Sequence, residues 1–153
     1  MRRRQNQAFT LIEIMIVIAI LADVMVIALP SYLRARIVTQ NAIFTNDLRA
    51  ASSAFEMYSA ENNRWPNEAN TGVIPGGMSV YLSGVDWMNR NSLGARWDWD
   101  HDRNGSVAAI AVVMDSAGDD LRMTDVDTRI DNGILTTGNF RKRSSTRYVY
   151  ILE

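Results

Sequence analysis

The sequence predicts an α+β chain: a long N-terminal α-helix, its lower half transmembrane, packed on a small antiparallel β-sheet head domain. Three observations carry this. Phe9–Leu29 is nearly all apolar, with carboxylates only at Glu13 and Asp23. Beyond it an apolar row recurs at helical spacing as far as Tyr58. Towards the C-terminus, residues alternating with a period of two flank an Asn-Gly pair, and the final stretch is rich in strand formers.

The 21 residues of Phe9–Leu29 would form a helix about 31 Å long, enough for a hydrocarbon core of about 30 Å. Arg2, Arg3 and Arg4 stand in front of it and orient the N-terminus to the cytoplasm. A secretory signal has a shorter apolar core with a small-residue cleavage site after it. Here the run is longer and the small residue, Ala8, precedes it. The segment is therefore expected to stay attached, with the bulk of the chain on the outer face. Pro30 lacks an N–H and clashes with the preceding turn, so it should kink the helix or open it locally.

The helix should then resume. Leu33, Ile37, Phe44, Leu48, Ala51, Phe55 and Tyr58 recur at steps of three, four or seven, with Asn41 the one polar member of the row. Asn62-Asn63 suits a helix C-cap, and the residue before Pro66 is pushed out of the helical region. Asn67–Gly77 reads as loop, and Met78–Val85 as either a helical turn or a strand. Arg96–Asp100 and Ser106–Met114 alternate on either side of His101-Asp102-Arg103-Asn104-Gly105, which predicts a hairpin. Asp119–Asp131 predicts a short helix capped at Thr124 and stopped at Asn132-Gly133. Arg147–Glu153 predicts a final strand. The expected segments are a basic leader (1–8), a transmembrane helix (9–29), its continuation on the outer face (30–62) and a head with antiparallel strands (63–153).

Composition narrows the function. The chain has 153 residues, no cysteine and a formal charge of −1. Loss of Met1–Ala8 would remove three arginines and leave −4. No basic stripe points to nucleic acid, and without cysteine there is neither a disulfide framework nor a thiolate metal site. No nucleophile elbow, zinc-protease helix, phosphate loop or dinucleotide fingerprint is present, so no catalytic residue, cofactor or enzyme activity is expected. Asp100-x-Asp102-x-Asn104-Gly105 matches the first half of an EF-hand calcium loop, but its twelfth position falls on Ala111, where a bidentate glutamate is needed. A polar hairpin turn is the favoured reading there, and no metal is expected. Asp119, Asp120, Asp125, Asp127 and Asp131 raise the same question. Asp125 and Asp127 are read as favouring the N-terminal end of the short helix. His101 reads as a solvated turn residue and Arg141-Lys142-Arg143 as a solvated loop.

Ala8-Phe9-Thr10-Leu11-Ile12-Glu13, ahead of an apolar run, resembles the N-terminal signature of type IV pilins and type II secretion pseudopilins. Pro30 stands where that family usually has a helix-kinking proline. Glu61-Asn62-Asn63-Arg64-Trp65-Pro66 is similar to the Asn-Gly-aromatic-Pro exit after the long helix of many pseudopilins. The resemblance implies cleavage between Ala8 and Phe9 by a membrane prepilin peptidase, then methylation of the Phe9 amine. Ala8 replaces the glycine the family mostly carries, and Asp23 falls in a stretch the family keeps apolar. The implied protein is a structural subunit of a secretion pseudopilus that supports protein export. A type IV pilus subunit serving adhesion, motility or DNA uptake, and a non-polymerising anchored binding module, are the alternatives. The implied setting is the bacterial inner membrane, crossed once, with the C-terminal domain periplasmic. The implied partners are further pilins or pseudopilins in a homo- or hetero-oligomer, the peptidase and an inner-membrane assembly platform.

A carboxylate deep in a bilayer costs about 2.5–3.5 kcal/mol. If Phe9 becomes the terminus, its cationic amine lies about 6 Å along the helix from Glu13, and neither group is well satisfied in an isolated chain. A copy offset along the axis can set its Glu13 against this amine, fixing the stagger. Asp23 has no such ready partner: either it pairs with Arg34 or Arg36 of a neighbour, or it stays wet near the headgroups.

Overall fold

The computed structural model describes residues 9–103 and 105–153. The leader with Ala8, and Asn104 of the predicted turn, lie outside the described residues. The elements run α1 (Leu11–Asn62), a 3-10 helix (Tyr81–Gly84), β1 (Arg96–Arg103), β2 (Ser106–Val113), α2 (Asp120–Ile130), β3 (Phe140–Lys142) and β4 (Arg147–Ile151). The fold is α+β, a long helix and a four-stranded antiparallel sheet, as the sequence predicts. The chain divides into two compact units at Val38/Thr39.

In the first unit α1 is a single exposed helix, with a stretch long and apolar enough to cross a membrane. It passes through Pro30 without a break in its helical assignment. Proline withdraws one donor there, and the Ser31 hydroxyl donates to the Ile27 carbonyl at 3.5 Å just below it. Leu33 and Ile37, the lower end of the predicted row, stay 46% and 45% exposed. The row becomes core only from Asn41 upwards.

In the second unit Phe44, Leu48, Ala51, Phe55 and Tyr58 of α1 are buried in one cluster with the sheet. Alternation along β1 turns Trp97 and Trp99 to that side. Phe55 stacks on Trp99 with ring centroids 3.9 Å apart, Phe44 on Trp97 at 5.3 Å, and Trp87 on Trp97 at 5.7 Å. Stacked rings at helical and strand spacing thus contribute to the apolar burial that holds α1 to the sheet.

Helix α1 ends at Asn62, and Asn63 takes the left-handed conformation at φ 52°, the C-cap the paired asparagines predict. The following loop covers the edge of β1. Ala69 bridges to Trp99, and the Gly72 N–H donates to the Trp97 carbonyl at 2.8 Å. An open edge strand is thereby blocked from pairing with another chain. Met78–Val85 resolves into the 3-10 helix rather than a strand.

The sheet order is β1-β2-β4-β3. The hairpin forms where the Asn-Gly pair predicts, but β1 extends to Arg103, which pairs with Ser106, so His101 is a strand residue rather than a turn residue. Strand β3 is not predicted by the sequence. Arg141 and Lys142 belong to it, Lys142 pairs with Asp120 at 2.6 Å, and the Arg143 guanidinium donates to the Ser106 hydroxyl at 3.1 Å. The basic run is therefore not a solvated loop. Lys142, with help from the Tyr148 hydroxyl, holds the Asp120 carboxyl below its ordinary range.

Helix α2 starts a turn earlier than expected. Its cap is Asp119, not Thr124: Asp119 Oδ1 accepts from the Leu121 and Arg122 N–H groups at 3.0 and 3.3 Å. These are first-turn donors that have no partner within the helix. Asp125 and Asp127 consequently fall mid-helix, not at its N-terminus. Asp125 pairs with Arg129 at 3.1 Å. Asp127 is fully buried, and that burial, reinforced by nearby Asp131, raises its pKa. Asp119→Ala is expected to cost about 1 kcal/mol, read as a lower melting temperature of the full chain in detergent.

Candidate assembly site at the helix N-terminus

The predicted site residues that fall within the described chain begin with Phe9, 82% exposed at the head of α1. Thr10 is the residue just before the helix, and Glu13 is its third helical residue. Glu13 Oε2 accepts from the Thr10 N–H and from the Thr10 hydroxyl, each at 2.9 Å. The Glu13 N–H donates back to the Thr10 hydroxyl oxygen at 3.3 Å. This is a reciprocal capping box. The sequence reading has this carboxylate poorly satisfied in an isolated chain; Thr10 supplies it with two donors. The signal lies in the sequence as Thr-x-x-Glu, a spacing that places an acid against the free N–H groups of the first turn. Asp23 is exposed, and among the described residues it has no hydrogen-bond or ion-pair partner.

The remaining sequence candidates are held by structural contacts in the second unit. Asp98 and Asp100 lie on the sheet face opposite the tryptophans, yet are only 4% and 1% exposed. Arg147 of β4 reaches both, at 2.7 Å and 2.5 Å. Since β2 lies between β1 and β4, the arginine must cross it, and the residues paired with Asp98 and Asp100 there are Ala111 and Ala109. Small side chains leave room for the long one. Burial pushes the Asp98 carboxyl up, against the pull of Arg147. Burial also works against the Arg147 charge, but the two carboxylates outweigh it and raise its pKa. Asp100 thus faces an arginine, as a salt-bridge partner. Among the described residues no group of three or more acids or histidines is placed to hold a metal ion. His101 donates its backbone N–H to Glu68 at 2.8 Å. A pocket of about 310 Å³ is lined by Tyr58, Arg64, Asn67, Gly76 and Gly77, with no acid–base pair among them.

One part-buried polar cluster is not foreseen by the sequence reading. Asn41, the polar member of the helical row, is 1% exposed. Its amide donates to Asp125 at 2.7 Å and accepts from Arg122 at 2.8 Å. The Arg122 guanidinium also reaches the Gln40 side chain at 2.9 Å. Asn41 therefore pins α2 to α1, and its hydrogen bond lowers the Asp125 pKa. A polar residue in register with a core row is the available signal.

Together, an exposed apolar helix opening on Phe-Thr-x-x-Glu and continuing into an α+β unit give this chain a pilin-like architecture. Residues 3–29 match the prokaryotic N-terminal methylation motif. The chain is similar to the type II secretion system core protein G of Pseudomonas aeruginosa, 33% identical over 67 residues, 44% of this chain and 47% of that protein. It is likewise similar to the proteins of that name from Klebsiella michiganensis, 33% over 66 residues, and Aeromonas hydrophila, 32% over 66 residues; each match covers 43% of this chain and 46% of the relative. The matched stretch thus spans about half the length of these curated relatives. No solved structure matches significantly.

Proposed function

We propose that this chain is a structural subunit, not an enzyme, of a pilus-like filament of the type II secretion kind, assembling through its N-terminal helix to support protein export. The observation that carries this reading is the first unit of the structure. It is a helix exposed along its whole length, bearing apolar side chains and beginning with a carboxylate four residues from Phe9. Such a surface is stable only in lipid or against sister helices. The matched methylation motif and the relatives named as secretion core proteins support the same reading.

On this reading residues 1–8 are a cytoplasmic leader removed by a prepilin peptidase between Ala8 and Phe9, and the Phe9 amine is then methylated. Residues 9–29 anchor the chain in the inner membrane before assembly and form the filament core afterwards. Residues 30–62 continue the helix, with Pro30 its bend, and residues 63–153 form the periplasmic head. Glu13 has two partners in turn: Thr10 of its own chain before assembly, and the Phe9 amine of a neighbouring copy within the filament. The capping box positions the carboxylate beside the helix N-terminus, where that amine would arrive. Mass spectrometry of the chain purified from its native membrane tests the processing step. A polypeptide beginning at methylated Phe9 is expected, and an intact MRRRQNQA leader would defeat the reading.

A further inference from the structure

Asp23 is the second carboxylate of the apolar run, and the assembly reading leaves it without a role. It lies in an unbroken helix, exposed, with no partner among the described residues. Arg34, further along the same unit, is also exposed and partnerless among them. Eleven residues separate the two, three helical turns, so they fall within about 20° of one another on the same face. Arg36 lies about 140° round the helix from Asp23 and is on the wrong side.

Within one chain the pair cannot close. The axial gap is about 16 Å, beyond the combined reach of the two side chains, roughly 9 Å from standard bond lengths. A parallel copy turned by roughly half a turn about its axis, so that the same face looks back, and displaced towards the cytoplasm brings its Arg34 down towards the level of Asp23. Helical side chains lean towards the N-terminus, so the arginine itself shortens the displacement needed to about 10 Å. A displacement of the same sense brings that copy's Glu13 towards the level of Phe9. The two contacts therefore demand a stagger in the same direction.

We infer that Asp23 and Arg34 form an ion pair between neighbouring copies of this chain, a second contact that fixes their stagger. The inference rests on the assembly reading above. It assigns a role to an acid that would otherwise sit uncompensated in an apolar segment, and it makes a second copy the occupant of this helix face through charge complementarity.

The chain has no cysteine, so a cross-link test is clean. Full-length D23C and R34C chains are co-produced with the assembly machinery, oxidised mildly in the membrane, and compared with each chain alone. A cross-linked dimer is expected from the mixture and not from either chain alone. In parallel, D23R or R34D should each lower the filament fraction at least about tenfold, as breaking a desolvated ion pair does. The double reversal D23R/R34D should recover most of it, with equal membrane-inserted protein throughout. If wild-type chains form filaments but the cross-link and the recovery are both absent, the pairing is overturned and the assembly reading stands. If single reversals assemble normally, Asp23 is merely wet among headgroups and the pairing is again overturned. If wild-type chains form no filament at all, both fall together.

Discussion

Glu13→Ala is expected to leave the chain inserted in the membrane and to remove it from filaments almost completely. The substitution strips two functions from one carboxylate. The first is visible in the isolated chain, where Oε2 accepts from the Thr10 N–H and hydroxyl. Losing such a cap costs about 1 kcal/mol, enough to fray the first turn of α1 but not to unseat an apolar helix from lipid. The second is the proposed contact with a neighbour's amine. At 4 Å and an effective dielectric near 20 that is worth roughly 4 kcal/mol before desolvation, repeated at every subunit. The contact between copies outweighs the cap, so its loss decides assembly. Glu13→Gln separates the two, because glutamine can serve the capping box yet carries no charge. Filament and membrane fractions from cells producing each variant supply the reading. Both variants should insert and neither should assemble. Normal incorporation of Glu13→Gln would show that the cap, not the charge, is what assembly needs.

The parts of the fold that the sequence reveals are those dictated by short-range periodicity. The apolar run of α1, the row from Phe44 to Tyr58, the hairpin and the last strand each follow from spacing within a dozen residues. What stays hidden depends on partners brought together from far along the chain. Asn41 meets Arg122 and Asp125 from α2, and a lone asparagine in a helical row does not reveal the element that will cover it. Strand β3, of three residues, forms because Phe140, Arg141 and Lys142 pair with Tyr150, Val149 and Tyr148, whereas its own composition reads as a basic loop. Thr124 reads as a better cap than Asp119 because Val126 and Ile130 set the apparent start of the apolar face. The true start is fixed by where unpaired N–H groups find a carboxylate. At the N-terminus the methylation signature is legible, while the capping box inside it is masked, because the same two residues satisfy both patterns.

Arg147→Ala should be the most damaging substitution in the second unit that leaves its aromatic core untouched. Two carboxylates, Asp98 and Asp100, are almost sealed from solvent and both depend on this guanidinium. Breaking a buried pair from one side costs about 3–5 kcal/mol, since the remaining charges stay desolvated. Arg147→Lys should recover only part of this, because a single ammonium cannot match the planar fork that addresses two acids at once. The deficit should also depend on pH in a fixed direction. Burial already raises the folded-state pKa of Asp98 above its ordinary value of 3.8, with Arg147 holding it back. A carboxyl whose pKa is raised on folding binds its proton more readily in the folded chain, so its penalty is full above the folded pKa and is lifted as pH falls through that value towards 3.8. Without Arg147 the folded pKa rises further, and the window widens upwards. Melting of full-length chains in detergent should therefore show the gap between wild type and Arg147→Ala narrowing as pH is lowered from about 7 to about 4.5, within the range where carboxyls titrate. A gap that is constant, or that widens on acidification, would mean that Arg147 acts by packing over Ala109 and Ala111 rather than by neutralising the acids beneath it.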